Sequence, residues 1–260
     1  MALVLHQQVE TTIPIEVEGI TPSRIAGLSD ADIAKLSIWH GNQVIELGQL
    51  FGLSGSAIDD QTIVFDGLLK PVHGIGVKMN AGTIRIESNA GRHVGREMTG
   101  GEILASGDVS DFAGVEMKGG TIRIGGDAGD SLGGHLPGSK LGMNRGTILV
   151  SGSSGKGTGQ GMRRGTIVVA GNAGKLLGWN MLAGSILVFG DCGEHAGAGM
   201  KRGTIVLNQY DESDLLPTFS KGGNHSVPVM AMMKNGSTHL SSASIVKSCF
   251  DRCRHFTGTC

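Results

Sequence analysis

Gly165-Thr166-Ile167-Val168-Val169-Ala170-Gly171-Asn172-Ala173-Gly174-Lys175-Leu176-Leu177-Gly178-Trp179-Asn180-Met181 is followed, two residues on, by Gly184-Ser185-Ile186-Leu187-Val188, and the same pattern runs through most of the chain. The anchor Gly-Thr-Ile-x-Ile/Val begins at Gly82, Gly101, Gly120, Gly146, Gly165, Gly184 and Gly203, with spacings of 19, 19, 26, 19, 19 and 19 residues. The one long step carries seven extra residues near Gly134 to Lys140. Three residues before each anchor stands a methionine, at 79, 98, 117, 143, 162, 181 and 200; these are seven of the chain's 11, so the column is not chance. Behind six of the anchors follows Gly-x-x-Gly-x-x-x-Gly, complete at 126/129/133, 152/155/159, 171/174/178 and 190/193/197, with Ser88 and Ser110 replacing one glycine each in the two earliest units.

A unit of 19 residues is too short for a helix pair, and glycine inside a helix costs about 1 kcal/mol per site relative to alanine. Short strands separated by glycine turns fit instead. Of the 260 residues 45 are Gly, only 4% are aromatic and 39% are hydrophobic, so there is enough small and β-branched material for a core. The reading is an all-β fold, a right-handed parallel β-helix (a single-stranded β-solenoid of about 19 residues per coil) with a small mixed N-terminal cap. Side chains alternate across a strand. The inward columns are therefore Ile84, Ile103, Ile122, Ile148, Ile167, Ile186 and Ile205, beside Ile86, Ala105, Ile124, Val150, Val169, Val188 and Leu207. The methionines form a third ladder, their flexible thioethers filling a tapering gap.

The ends depart from the period. Gln61-Thr62-Ile63-Val64-Phe65 and Asn42-Gln43-Val44-Ile45-Glu46 read as degenerate first coils, so the β-helix spans 41–207, with regular coils from Gly82. Residues 1–40 read as the cap: an extended stretch to Val17, then helix starts at Thr21-Pro22 and Ser29-Asp30. Residues 208–260 form a C-terminal extension without the repeat.

The candidate chemical motifs are structural. Gly152-Ser153-Ser154-Gly155-Lys156-Gly157-Thr158 resembles a phosphate loop but breaks its Gly-Lys-Ser/Thr ending, and it has sister copies lacking the lysine. A calcium-binding nonapeptide would need a regular Asp that the glycine turns lack. Cys249, Cys253, His255 and Cys260 have half of a zinc pattern. His93, His135 and His195 lack partners at motif spacing, and Glu97 and Glu116 share a column whose later members are Gly and Asn, which argues against a carbohydrate-cleaving β-helix. No catalytic, cofactor-binding or metal-binding residue is assigned. A net charge of −1 gives no footprint for nucleic acid or a membrane surface. The first residues lack a signal peptide, no apolar run reaches about 20 residues, and the expected location is cytoplasmic.

The glycine-turn coils joined to Gly-Thr-Ile strands resemble the C subunits of formylmethanofuran dehydrogenase and of the related bacterial formyltransferase/hydrolase complex, and also the C-terminal β-helix domain of glutamate synthase large chains. Ile20-Thr21-Pro22 to Ala26-Gly27, Leu36 to Trp39, Gly41-Asn42, Leu47-Gly48 and the insertion Leu136-Pro137-Gly138-Ser139-Lys140 favour the C subunits. The resemblance implies a non-catalytic scaffold in a methanofuran-dependent one-carbon complex, either redox or transferase/hydrolase. Active sites, methanofuran or its analogue, metals and any molybdenum- or tungsten-pterin would then sit on amidohydrolase-like, pterin-subunit-like and formyltransferase-like partners. The alternative is a glutamate synthase-like spacer.

Two surface columns are the candidate partner interface. Leu149, Val168, Leu187 and Val206 make an apolar ladder on the outer strand face, to be covered by a partner or, alternatively, by the chain's own residues 208–260. Lys118, Arg145, Arg163, Arg164, Lys201 and Arg202 flank the anchors and stack at one corner, where they would meet an acidic partner face or the glutamate-rich tail that methanofuran-type cofactors carry by family analogy. His135 and Lys140 in the insertion loop complete the set.

Overall fold

The computed structural model describes residues 2–55, 61–208 and 216–219. Every Gly-Thr-Ile anchor becomes a strand: β8 (Thr83–Ile86), β9 (Glu102–Ala105), β10 (Lys118–Ile124), β11 (Arg145–Val150), β12 (Thr166–Val169), β13 (Ser185–Val188) and β14 (Thr204–Leu207). The degenerate copy at residue 61 becomes β6 (Thr62–Asp66). Each strand pairs in parallel with the next copy, like residue over like: Ile63 with Ile84, Ile84 with Ile103, Ile103 with Ile122, Ile122 with Ile148, Ile148 with Ile167, Ile167 with Ile186 and Ile186 with Ile205. One repeat makes one rung, and rungs in such a sheet lie about 4.8 Å apart. A second line of parallel bridges joins Ala90, Val109, Ala128, Ser154, Ala173 and Cys192, eight residues beyond each anchor glycine, so the coils also meet along a line outside the main sheet. The fold is all-β with short helical turns near the start.

The core is a set of ladders. Met79, Met98, Met117, Met143, Met162 and Met181 are fully buried, as are the isoleucines at 84, 103, 122, 148, 167 and 186. Two of the columns are coupled by contact. A β-carbon added to the anchor glycine at 101, 120, 146, 165, 184 or 203 would lie 2.6 to 2.9 Å from the ε-methyl of the methionine one coil earlier. The thioether fills the space that glycine leaves, which is why the two columns keep step. Similarly, a β-carbon at Gly133 would lie 2.7 Å from Cδ1 of Ile167, and the backbone there has φ +62°.

The N-terminal region departs from the expected coil. β1 (Leu3–Gln7) joins the main sheet, parallel to β6 and antiparallel to β5 (Phe51–Ser54). The place before β6 is thus taken by the chain start. Asn42 to Glu46 is not a coil: β3 (Ser37–His40) and β4 (Gln43–Glu46) form an antiparallel hairpin. That hairpin pairs with β2 (Ile15–Glu16), which runs parallel to β7 (Val72–His73) in a separate four-stranded sheet. The rung pattern therefore starts near residue 61 rather than 41, because a two-residue turn at Gly41-Asn42 folds the strand back on its neighbour. The expected helix starts are observed at α1 (Pro22–Ile25) and α2 (Asp30–Ala34), and the Ser29 hydroxyl accepts from the Asp32 amide at 3.2 Å. At the other end, Phe219 occupies the position that the next isoleucine would take. Its ring lies 2.7 Å from where a β-carbon of Gly197 would stand.

Candidate functional site

Polar side chains on the turns mainly tie coil to coil. Seven residues after each anchor glycine stands Asn89, Asp108, Asp127, Ser153, Asn172 or Asp191. Each of the first five accepts the backbone amide of the next member, at 2.8, 2.8, 2.7, 3.1 and 2.8 Å. Asp111 and Asp130 repeat the arrangement three residues on, toward the amides of Asp130 and Lys156 at 3.0 and 2.9 Å. The turns thus carry a mixed Asp, Asn and Ser column in place of a regular Asp, and its oxygens serve the backbone. It is detectable as a column in the repeat alignment, blurred by its mixture of Asp, Asn and Ser. The same turns carry paired charges: Arg92 with Asp111, Lys156 with Asp130 and Lys175 with Glu194, at 3.5, 3.3 and 2.9 Å.

The outer column of the main sheet reads Arg85, Leu104, Arg123, Leu149, Val168, Leu187 and Val206 in register. Arg85 pairs with Glu87 and Arg123 with Glu102. Leu149 and Val168 are half-buried, whereas Leu187 is fully buried and Val206 is 8% exposed within the chain itself. The apolar strip is therefore open at the Leu149 and Val168 end and closed at the other.

The basic column is exposed along its whole length. Lys118, Arg145, Arg163, Arg164, Lys201 and Arg202 all face solvent just before the strands. Lys118 sits opposite Arg145 in the pairing of β10 with β11, and reaches Glu97 at 3.7 Å. The insertion loop packs beside this corner: the Gly142 amide donates to Gly161 at 2.9 Å. His135 is held from both sides. The Gln160 amide nitrogen, only a donor, reaches Nε2 at 2.8 Å, so Nδ1 carries the proton that meets the Leu136 carbonyl at 2.9 Å. Lys140 is exposed.

His93 stacks on Phe112, centroids 5.3 Å apart and 14° from parallel, with both residues in the left-handed region at φ +63° and +64°. Its Nδ1 is buried without a partner among the described residues. Burial, with Arg96 nearby, pushes its pKa down, and burial followed by Arg92 does the same for His73, whose Nδ1 accepts the Arg92 amide at 2.9 Å. His195 is exposed. Glu97 faces Lys78, Arg96 and Lys118 at 4.0, 3.7 and 3.7 Å, while Glu116 accepts the Leu136 amide at 3.4 Å. Among the described residues no three His, Cys, Asp or Glu side chains gather as a metal site, and no helix is long and apolar enough to cross a membrane. Cys249, Cys253, His255 and Cys260 lie outside the described residues.

Rungs in register, turns tied by their own polar groups and an exposed basic column define the class: an all-β repeat protein. No family model matches the chain. Among curated proteins it is similar to the C subunit of the tungsten-containing formylmethanofuran dehydrogenase 2 of Methanothermobacter thermautotrophicus, 36% identical over 96 residues, covering 36% of each chain. It is also similar to the C subunit of the molybdenum-containing formylmethanofuran dehydrogenase 1 of Methanosarcina barkeri, 39% identical over 85 residues, covering 32% of this chain and 28% of that one. The chain thus spans about a third of the length of the curated relatives it matches. A solved structure extends the likeness: a chain of the formyltransferase/hydrolase complex (FhcABCD) of Methylorubrum extorquens, determined with methylofuran, aligns with a TM-score of 0.81 and 30% identity over 94% of this chain and 90% of its own. The chain belongs to the family formed by the C subunits of formylmethanofuran dehydrogenase and of the formyltransferase/hydrolase complex.

Proposed function

We propose that this chain is a non-catalytic scaffold subunit of a methanofuran-dependent complex that interconverts formyl groups and formate. Its rungs wind as a right-handed parallel β-helix; nearly all crossovers between parallel strands in one sheet take that hand. The observation that carries the reading is the alignment over 94% of the chain with a subunit of a formyl-transferring complex. The use of turn carboxylates for coil-to-coil bonding supports it, since such groups are not free for acid–base work. Amidohydrolase-like, formyltransferase-like and pterin-subunit-like partners would hold the methanofuran-type carrier and the metals. The open end of the apolar strip, Leu149 and Val168, and the insertion loop with His135 and Lys140 are the surfaces they would cover, in the cytoplasm.

Purification through a tag on this chain from its natural host tests the reading. Formyl-handling partners should co-purify in fixed stoichiometry, and formyl transfer or formate release should reside in them. Turnover by the isolated chain, or absence of those partners at low salt, would overturn it.

A further inference from the structure

We infer that the corner carrying Lys118, Arg145, Arg163, Arg164, Lys201 and Arg202 is a docking ridge for an acidic α-helix of a partner subunit, laid along the stack. This rests on the scaffold reading and adds the chemistry and shape of the contact. Off the ridge, the cations between Gly82 and Leu207 are mostly paired with carboxylates: Arg85, Arg92, Arg96, Arg123, Lys156 and Lys175 each reach one. Lys140 in the insertion loop is outside that pattern. Among the described residues, Lys118, at the first rung, is the one ridge cation with such a partner. Arg145, Arg163, Arg164, Lys201 and Arg202 are exposed, and none forms an ion pair among the described residues. Five cations without an ion-pair partner among the described residues, gathered along one line of a chain whose net charge is −1, repel one another. An anionic surface relieves that repulsion.

The spacing selects a helix. Rungs repeat at about 4.8 Å, and an α-helix advances 5.4 Å per turn, so seven helical residues cover roughly two rungs. From the rung of β10 to that of β14 there are four steps, and a helix slips by only about 2.4 Å over that length. Arginine and lysine side chains absorb such a slip. An extended strand places same-side residues roughly 6.7 Å apart and slips by about 8 Å over the same steps. The ridge also has a gap. At the β13 rung the cation positions hold Leu182 and Ala183, with Leu182 half-buried. The complementary helix therefore carries acidic residues at i, i+3 or i+4, i+7 and i+14, with an apolar residue near i+11.

The double variant Arg163→Glu/Arg164→Glu, in the full chain, tests this against Lys35→Glu/Lys70→Glu, which changes charge equally at exposed cations away from the ridge. Partner retention is measured from about 50 to 300 mM salt, where screening lengths fall through the relevant range. The ridge variant should bind at least tenfold more weakly at low salt, mainly through a slower association rate, and the control should match wild type. In parallel, a synthetic helix with glutamates at the stated positions should bind the wild-type chain at least tenfold more tightly than a scrambled peptide of equal charge. A photoreactive residue at Leu182 should cross-link an acidic partner helix. Undiminished retention by the ridge variant, equal binding of both peptides, or cross-links to a loop, a strand or nucleic acid would overturn the proposal. Should the wild-type chain retain no partner at all, the scaffold reading fails, and the peptide comparison alone decides the ridge.

Discussion

Replacing Gly133 by alanine sets a backbone cost against a packing cost, and the structure separates the two. Gly133 has φ +62°, where an alanine costs about 1–2 kcal/mol. Its new β-carbon would also stand 2.7 Å from Cδ1 of the fully buried Ile167, and 3.3 Å from Cδ1 of Ile148. Overpacking of this kind costs about 1–3 kcal/mol, so Gly133→Ala should destabilise the chain by about 2–5 kcal/mol. Gly138 gives the backbone cost alone: its φ is +88° and nothing lies within 4 Å of a β-carbon there. Gly138→Ala should cost about 1 kcal/mol. Ile167→Val removes the Cδ1 methyl in question and by itself should cost about 0.5–1.5 kcal/mol. In the double variant the two changes relieve each other, so their sum should exceed the measured loss by about 1–2 kcal/mol. Urea unfolding of the four proteins, followed by far-ultraviolet circular dichroism, reads these differences at constant m-value. Costs that add to within about 0.5 kcal/mol would refute the contact between Gly133 and Ile167, and with it the claim that the glycine column exists to admit the isoleucine ladder.

Three further outcomes are expected. Asp127→Ala should cost about 1 kcal/mol by orphaning the Ser153 amide, whereas Asp127→Asn keeps the acceptor and should be near neutral; equal losses in urea titrations would remove the side-chain ladder as a stabilising feature. Because burial holds the pKa values of His73 and His93 below 6.5, the unfolded chain binds more protons, so stability should fall as pH drops from about 6.5 through the lower folded values; His93→Gln should flatten that dependence in urea midpoints, and an unchanged slope counts against it. Phe219→Ala should raise hydrogen exchange in residues 195–207 while leaving the coils before Gly146 protected, since Phe219 covers the last rung near Gly197 and Ile205; uniform protection loss would contradict an end plug.

The regular rungs are legible because each coil repeats the environment of its neighbours, so Met79 to Met181 and Ile84 to Ile186 carry the same constraint six times over. A column is visible in a sequence when its chemistry is uniform. The Asx ladder mixes Asp, Asn and Ser because each supplies the one acceptor needed, and that tolerance conceals it. The N-terminal strands escape the repeat pattern for a different reason. Gln43 to Glu46 has the composition of a rung, but its partner is chosen by a turn, and Leu3 to Gln7 reaches β6 across some 60 residues with no local signal. Surface columns are legible as positions only. The alternation puts Leu187 on the outer face correctly, yet register cannot tell whether an outer leucine meets water, and it is fully buried.

The same repetition bears on the scaffold role proposed above. Catalysis needs unlike groups converging on one point, each with its own environment. A stack of equivalent rungs instead spreads like groups along a line, at a spacing fixed by backbone hydrogen bonds. Any side chain able to serve the next coil is drawn into coil-to-coil bonding, as Asp108, Asp127, Asp130 and Asn172 are. The proposed contact surfaces are the columns not used in this way: the open part of the apolar strip and the cations beside the strands that have no ion pair among the described residues. The 26-residue step is the one place where the line is broken, and there the chain adds a loop anchored by His135 and Gln160 next to the cationic corner. For the helix proposed to dock on the ridge, that loop and the apolar gap at the β13 rung would together set direction and register.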